Sequence, residues 1–210
     1  YCLDAFKKEI QQTHQRKLCL KCASINIKST HYLCPDCIES PPKWEQLYLL
    51  SDYLPIMKFL LHAYKYEGKT NLYNIFTTLL HQKHPIQDVD ADVICAIPMH
   101  PKKYAIRGYN PPALIAQKLS RLYEIPMIMS PQIRKIKHTK TQITMHKTAR
   151  QKNLENAFEV CDLPYQKILI IDDVITTGTT LKSFSNALLA CNPELQIYVI
   201  CLTKNLTNTL

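Results

Sequence analysis

The chain has 210 residues, 46% of them apolar, and carries 26 lysines and arginines against 17 acidic residues, a formal charge of +9. That length and apolar share bury one good core with room for a small appendage, and the longest apolar runs, such as Leu47–Leu50 and Ile168–Ile171, fall far short of the roughly 20 residues a membrane-spanning helix requires. A soluble protein without a transmembrane segment is expected, and its positive charge favours phosphates or nucleic acid as partners.

A first residue of Tyr rather than Met points to a missing N-terminal piece. The nine cysteines are odd in number, and Cys95 and Cys201 sit inside apolar runs, so reduced thiols in a reducing cytosol are the better reading. Cys19-Leu-Lys-Cys22 and Cys34-Pro-Asp-Cys37 form two C-x2-C pairs with eleven residues between them. That spacing suits a structural Zn2+ held by four thiolates, with a redox C-x2-C pair as the rival and Cys2 and His31 as alternate ligands. So short a segment has little core, and the metal would supply its folding energy. The prolines of Glu39-Ser-Pro-Pro-Lys-Trp44 mark a linker, dividing a zinc-binding module at 1–44 from a main domain at 45–210.

From Leu47 the pattern predicts a short strand and then an amphipathic helix that Gly68 ends. A second helix runs from Asn71 to about Lys83. Short apolar runs at Val93–Ile97, Ile168–Ile171 and Ile197–Leu202 alternate with helical patterns, as in an α/β fold with a parallel sheet.

After Ile97, Lys102, Lys103, Arg107 and Gly108 are expected in a loop, with a helix over Ala113–Tyr123. Basic side chains beyond a parallel strand suit a diphosphate. Between Glu124 and Glu155 there is no acidic residue, while Arg134, Lys135, Lys137, Lys140, Lys147 and Arg150 accumulate. This run reads as a lid over a diphosphate, as a track for a nucleic-acid backbone, or as a solvated basic loop.

Asp172 and Asp173 follow the apolar strand Ile168–Ile171, where adjacent carboxylates can each accept a hydrogen bond from a sugar hydroxyl. Thr176, Thr177, Gly178, Thr179 and Thr180 come next, offering hydroxyls and backbone N–H groups at a helix N-terminus, a ready site for a 5-phosphate. Diol acceptors thus precede phosphate donors. An average chain of this length would hold about fifteen glycines. This one has three, with Gly108 and Gly178 both at expected anion loops.

Ile168–Thr180 resembles the signature that binds phosphoribosyl pyrophosphate (PRPP) in type I phosphoribosyltransferases. The full order is the four cysteines, Lys65-Tyr66-Glu67-Gly68-Lys69, the Ile97–Asn110 stretch, then Arg134, Thr141, Gln142, Arg150, Asn153 and Ala157-Phe158, then the signature. It is similar over nearly the whole chain to the ComF family of bacterial competence proteins, of ComFC type. The family's Arg-Gly-Phe-Asn-Gln is here Arg107-Gly108-Tyr109-Asn110-Pro111, which weakens any role carried over to position 111. The resemblance implies a phosphoribosyltransferase-like domain and a cytoplasmic role, at the inner face of the membrane, in natural transformation. There the protein would handle incoming single-stranded DNA with other competence proteins. The alternative is an active phosphoribosyltransferase in which Asp172 and Asp173 hold the ribose and Mg2+ bridges the diphosphate; no acceptor follows from the resemblance.

Overall fold

The computed structural model describes residues 17–25, 32–84, 91–137 and 157–204. Five parallel strands form the sheet: β1 (Gln46–Asp52), β2 (Val93–Ala96), β3 (Met127–Ile128), β6 (Lys167–Ile175) and β7 (Gln196–Lys204), in the order β1-β7-β6-β2-β3. Successive residues of a strand point to opposite faces, and the apolar run of β6 supplies both. Ile168 and Ile170 join the core on one side of the sheet, and Leu169 and Ile171 join the core on the other. All four are fully buried, as a central parallel strand requires.

The second face is covered by three helices, α2 (Pro55–Tyr66), α3 (Leu72–Lys83) and α5 (Pro111–Tyr123), through Met57, Leu61 and Tyr64, Phe76 and Leu80, and Ile115 and Leu119. The first face takes α6 (Thr179–Cys191), by way of Leu181, Phe184 and Leu188. It also takes the two-stranded antiparallel ribbon of β4 (Ile133–Lys135) and β5 (Phe158–Val160), anchored by Ile133 and Phe158. Cys95 and Cys201 lie fully buried inside strands, so the reading of both as core thiols holds.

One expected loop is a helix. Lys102, Lys103 and Arg107 belong to the short α4 (Pro101–Arg107), not to an irregular connection. Pro101 opens it with a preset φ, His100 Nδ1 accepts from the Lys102 N–H at 3.2 Å, and Gly108 closes it at φ +80°, a conformation glycine adopts without strain. Helical spacing then sets Lys103 and Arg107 on one face. The acidic pair is also placed differently, since β6 runs on to Ile175 and carries Asp172 and Asp173 within it, not beyond its end.

The cysteine segment, which carries the short α1 (Pro35–Glu39), is docked on the sheet edge. The Leu47 N–H of β1 donates to Leu20 C=O at 2.8 Å, and Lys204 Nζ at the end of β7 donates to Cys22 C=O at 2.8 Å. Trp44, expected in a linker, is 4% exposed and donates from Nε1 to Lys21 C=O at 2.6 Å, while Lys21 Nζ returns a bond to Trp44 C=O.

Candidate functional site

At the carboxyl ends of the parallel strands lies a cleft of about 290 Å3, walled by Lys65, Lys103, Arg107 and Lys135, by Asp172 and Asp173, and by Thr176, Gly178, Thr179 and Thr180. Its position obeys the rule for ligand sites in open α/β sheets. Gly178 stands at φ +70° immediately before α6, turning the chain so that the first turn of that helix faces the cleft. Thr177 is not part of the wall; its hydroxyl pairs with that of Thr179 at 2.7 Å.

The two carboxylates are met from opposite sides of the sheet. Lys65, in the last turn of α2, places Nζ 2.8 Å from Asp173 Oδ1, with the two side chains only 17% and 12% exposed. Burial alone would depress the Lys65 ammonium, but the charge and hydrogen bond of Asp173 outweigh it and hold its pKa above the usual value. Asp172 accepts the Asp173 N–H at 2.8 Å and faces Lys135 from β4. Burial, and then repulsion from Asp173, push the Asp172 carboxyl up to about 7. Lys135 is itself lowered to about 8 by burial and by the neighbouring Lys103, and its Nζ lies 5.3 Å from the centre of the Phe158 ring.

A second set of contacts locks α2 against the Arg107–Asn110 turn. Arg107 lies 4.9 Å over the Tyr66 ring. The Tyr109 hydroxyl donates to Tyr64 C=O, the Tyr64 hydroxyl donates to Pro111 C=O at 2.7 Å, and Asn110 Nδ2 donates to Ile97 C=O at 3.0 Å. Position 111 thus has a local role: proline opens α5, and its carbonyl anchors α2.

Of the residues expected at the site, Asp172, Asp173, Thr176, Gly178, Thr179, Thr180, Lys103 and Arg107 line one cleft. Lys102 is exposed on the outer side of α4, and Gly108 acts as its terminator. Within the basic run, Lys135 reaches the cleft. Arg134 pairs with Glu159 across the ribbon at 2.8 Å, Lys137 is exposed, and Lys140, Lys147 and Arg150 lie outside the described residues. Lys65 and Tyr66 were not expected here. Their sequence signal is the Lys65–Lys69 stretch of the family order at a helix end, and nothing local ties them to the acidic pair.

Neither Asp173 Oδ1 nor Asp172 Oδ1 fits the role of a Mg2+ ligand. Mg2+ demands a near-octahedral oxygen shell at about 2.0–2.1 Å, whereas Asp173 Oδ1 is held by an ammonium and Asp172 Oδ1 by a backbone N–H. The cysteines pass the corresponding test. The sulfurs of Cys19, Cys22, Cys34 and Cys37 all lie within 4.8 Å of one another, with Cys22 and Cys34 at 3.5 Å, close to the roughly 3.8 Å edge that four Zn–S bonds of about 2.3 Å produce. Burial raises the Cys22 thiol to about 11 and pushes Cys37 higher still. At Cys19 burial also acts to raise the pKa, but N–H groups of Cys34, Cys22 and Lys21 outweigh it and lower it. Cys2 and His31 lie outside the described residues.

Residues 109–209 match the phosphoribosyl transferase domain family. The chain is 30% identical to the DNA utilization protein YhgH of Escherichia coli O157:H7, over 91% of this chain and 86% of that one. It is 30% identical to YhgH of Salmonella typhimurium over 82% and 78%, and 29% identical to competence protein F of Haemophilus influenzae over 74% and 71%.

Proposed function

The chain belongs to the ComF family, that of competence protein F and the DNA utilization protein YhgH, and on that premise we propose that it handles single-stranded DNA taken up in natural transformation while binding PRPP or a related ribose phosphate. The observation that carries this reading is the cleft itself, in which the acidic pair and the Thr176–Thr180 turn, both inside the matched residues 109–209, meet the cations of α4, which lie just ahead of that match. The 5-phosphate takes the turn before α6, the ribose hydroxyls take the carboxylates, and a diphosphate takes Lys103, Arg107 and Lys135. Any Mg2+ would be held by the diphosphate oxygens and not by the two carboxylates. Zn2+ on the four cysteines is structural.

Single-stranded DNA is drawn to the cationic face by its phosphates. The domain works as a cytoplasmic protein that meets other competence proteins at the inner face of the membrane. No described helix is long and apolar enough to cross a membrane. The match to a transferase domain keeps a second reading in view, turnover of PRPP on an acceptor, and pyrophosphate release during a screen of nucleobases and amines tests it.

Fluorescence anisotropy with a labelled oligothymidine tests the DNA role. Affinity is expected to fall steeply between 50 and 200 mM salt by counterion release, on the order of tenfold or more. Reversing charge at Lys135, Lys137 and Lys140 together should weaken binding by a similar factor at low salt. Unchanged affinity in that variant removes the basic run from the interface.

A further inference from the structure

We infer that Lys65 occupies the place of a divalent cation at the Asp172–Asp173 pair, so that the cleft takes a ribose 5-phosphate without metal. The inference rests on the ribose-phosphate reading of the cleft and adds a specificity-determining residue to it.

The ammonium is delivered by a helix anchored at its last turn through Tyr64. Tyr64, immediately before Lys65, is fully buried and bonded through both its hydroxyl and its carbonyl to the Tyr109–Pro111 turn. Tyr66, immediately after, is 67% exposed and carries Arg107 4.9 Å from its ring centre. Lys65 therefore meets Asp173 Oδ1 at 2.8 Å from a backbone held at Tyr64, its immediate neighbour.

The charge count around the pair points the same way. Lys65, Lys103, Arg107 and Lys135 line the cleft against the two carboxylates. A wall already in positive excess attracts a phosphate and repels a further dication. Among the described residues the second oxygen of each carboxylate takes no hydrogen bond, so a sugar hydroxyl can reach it without the ammonium leaving. Ribose 5-phosphate brings no diphosphate, so no metal arrives with it.

Two titrations of the full chain, prepared with zinc and then freed of other metals, test this. In the first, ribose 5-phosphate is titrated by calorimetry with and without Mg2+; affinities within twofold of each other are expected. In the second, MnCl2 alone is titrated and bound Mn2+ is read by its paramagnetic signal. No uptake that Asp173→Asn abolishes is expected in the wild type. Lys65→Met should lose at least tenfold in ribose 5-phosphate affinity without metal, regain part of it with Mg2+, and acquire an Mn2+ site. A wild type that needs Mg2+ for ribose 5-phosphate, or that takes up Mn2+ at Asp173, overturns the inference even if Lys65→Met does not fold. Absence of ribose 5-phosphate binding under both conditions defeats the ligand reading instead, and the Mn2+ titration then decides the role of Lys65 alone.

Discussion

Replacing Cys37 with serine is expected to abolish zinc binding and to loosen the edge of the main sheet with it. Cys37 is 5% exposed and shares its cluster with Cys19, Cys22 and Cys34. A four-thiolate zinc typically supplies about 10–16 kcal/mol to the folding of so small a segment, and a serine oxygen cannot replace the thiolate. The loss spreads because the segment is bonded to the Leu47 backbone, to Trp44 and to Lys204. Uncovering a buried tryptophan alone costs about 3–5 kcal/mol, and each kcal/mol lowers the midpoint of a chain this long by roughly 2–4 °C. Zinc content should fall from one per chain to near zero and the melting midpoint by about 10 °C, read by metal analysis and calorimetry on the same samples. An unshifted midpoint with zinc lost would show that the segment folds and docks without its metal.

Asp172→Asn should make the protein more stable at pH 8 while removing ribose-phosphate binding. The Asp172 carboxyl is raised in the fold to about 7, chiefly by burial, against about 3.9 in an unfolded chain. A group whose acid form is favoured by folding lowers stability as pH climbs from the unfolded to the folded value, because the unfolded chain releases its proton first. Three units at about 1.4 kcal/mol each set a ceiling near 4 kcal/mol. Solvent access to the cleft reduces it, and about 2 kcal/mol is expected, a rise of roughly 4–8 °C. The gain should be present at pH 8, shrink as pH falls through 7 and vanish near pH 4. A variant that melts below the wild type at pH 8 would mean that the Asp172 charge stabilises the fold.

The parts of this molecule legible in the sequence are those whose causes are local. Ile168–Thr180 announces a buried strand, two acids and a helix start within thirteen residues, and the strand, turn and helix form there. The four cysteines carry their geometry in their spacing, and their sulfurs cluster as the spacing requires. What stayed hidden depends on tertiary contact. Lys65 gives no local sign that it will meet Asp173, because the α2–β6 approach is set by apolar packing around Tyr64 and Leu169. Trp44 looked like linker because of its prolines, yet its indole finds a carbonyl and a core. The helix α4 was obscured by its length, too short to show a periodic face, although Pro101 and Gly108 bracket it. Arg134 counted as part of an acid-free run until the ribbon brought Glu159 to it from beyond that window.

On the proposed function, the cleft at Asp172–Thr180 holds a phosphoribose. Calorimetric titration of PRPP into the wild type and into Asp172→Ala/Asp173→Ala tests it most directly. One site per chain is expected in the wild type, with affinity reduced at least tenfold in the variant. A folded wild type that gives no binding to PRPP or to ribose 5-phosphate, or a variant that binds as tightly as the wild type, would contradict it.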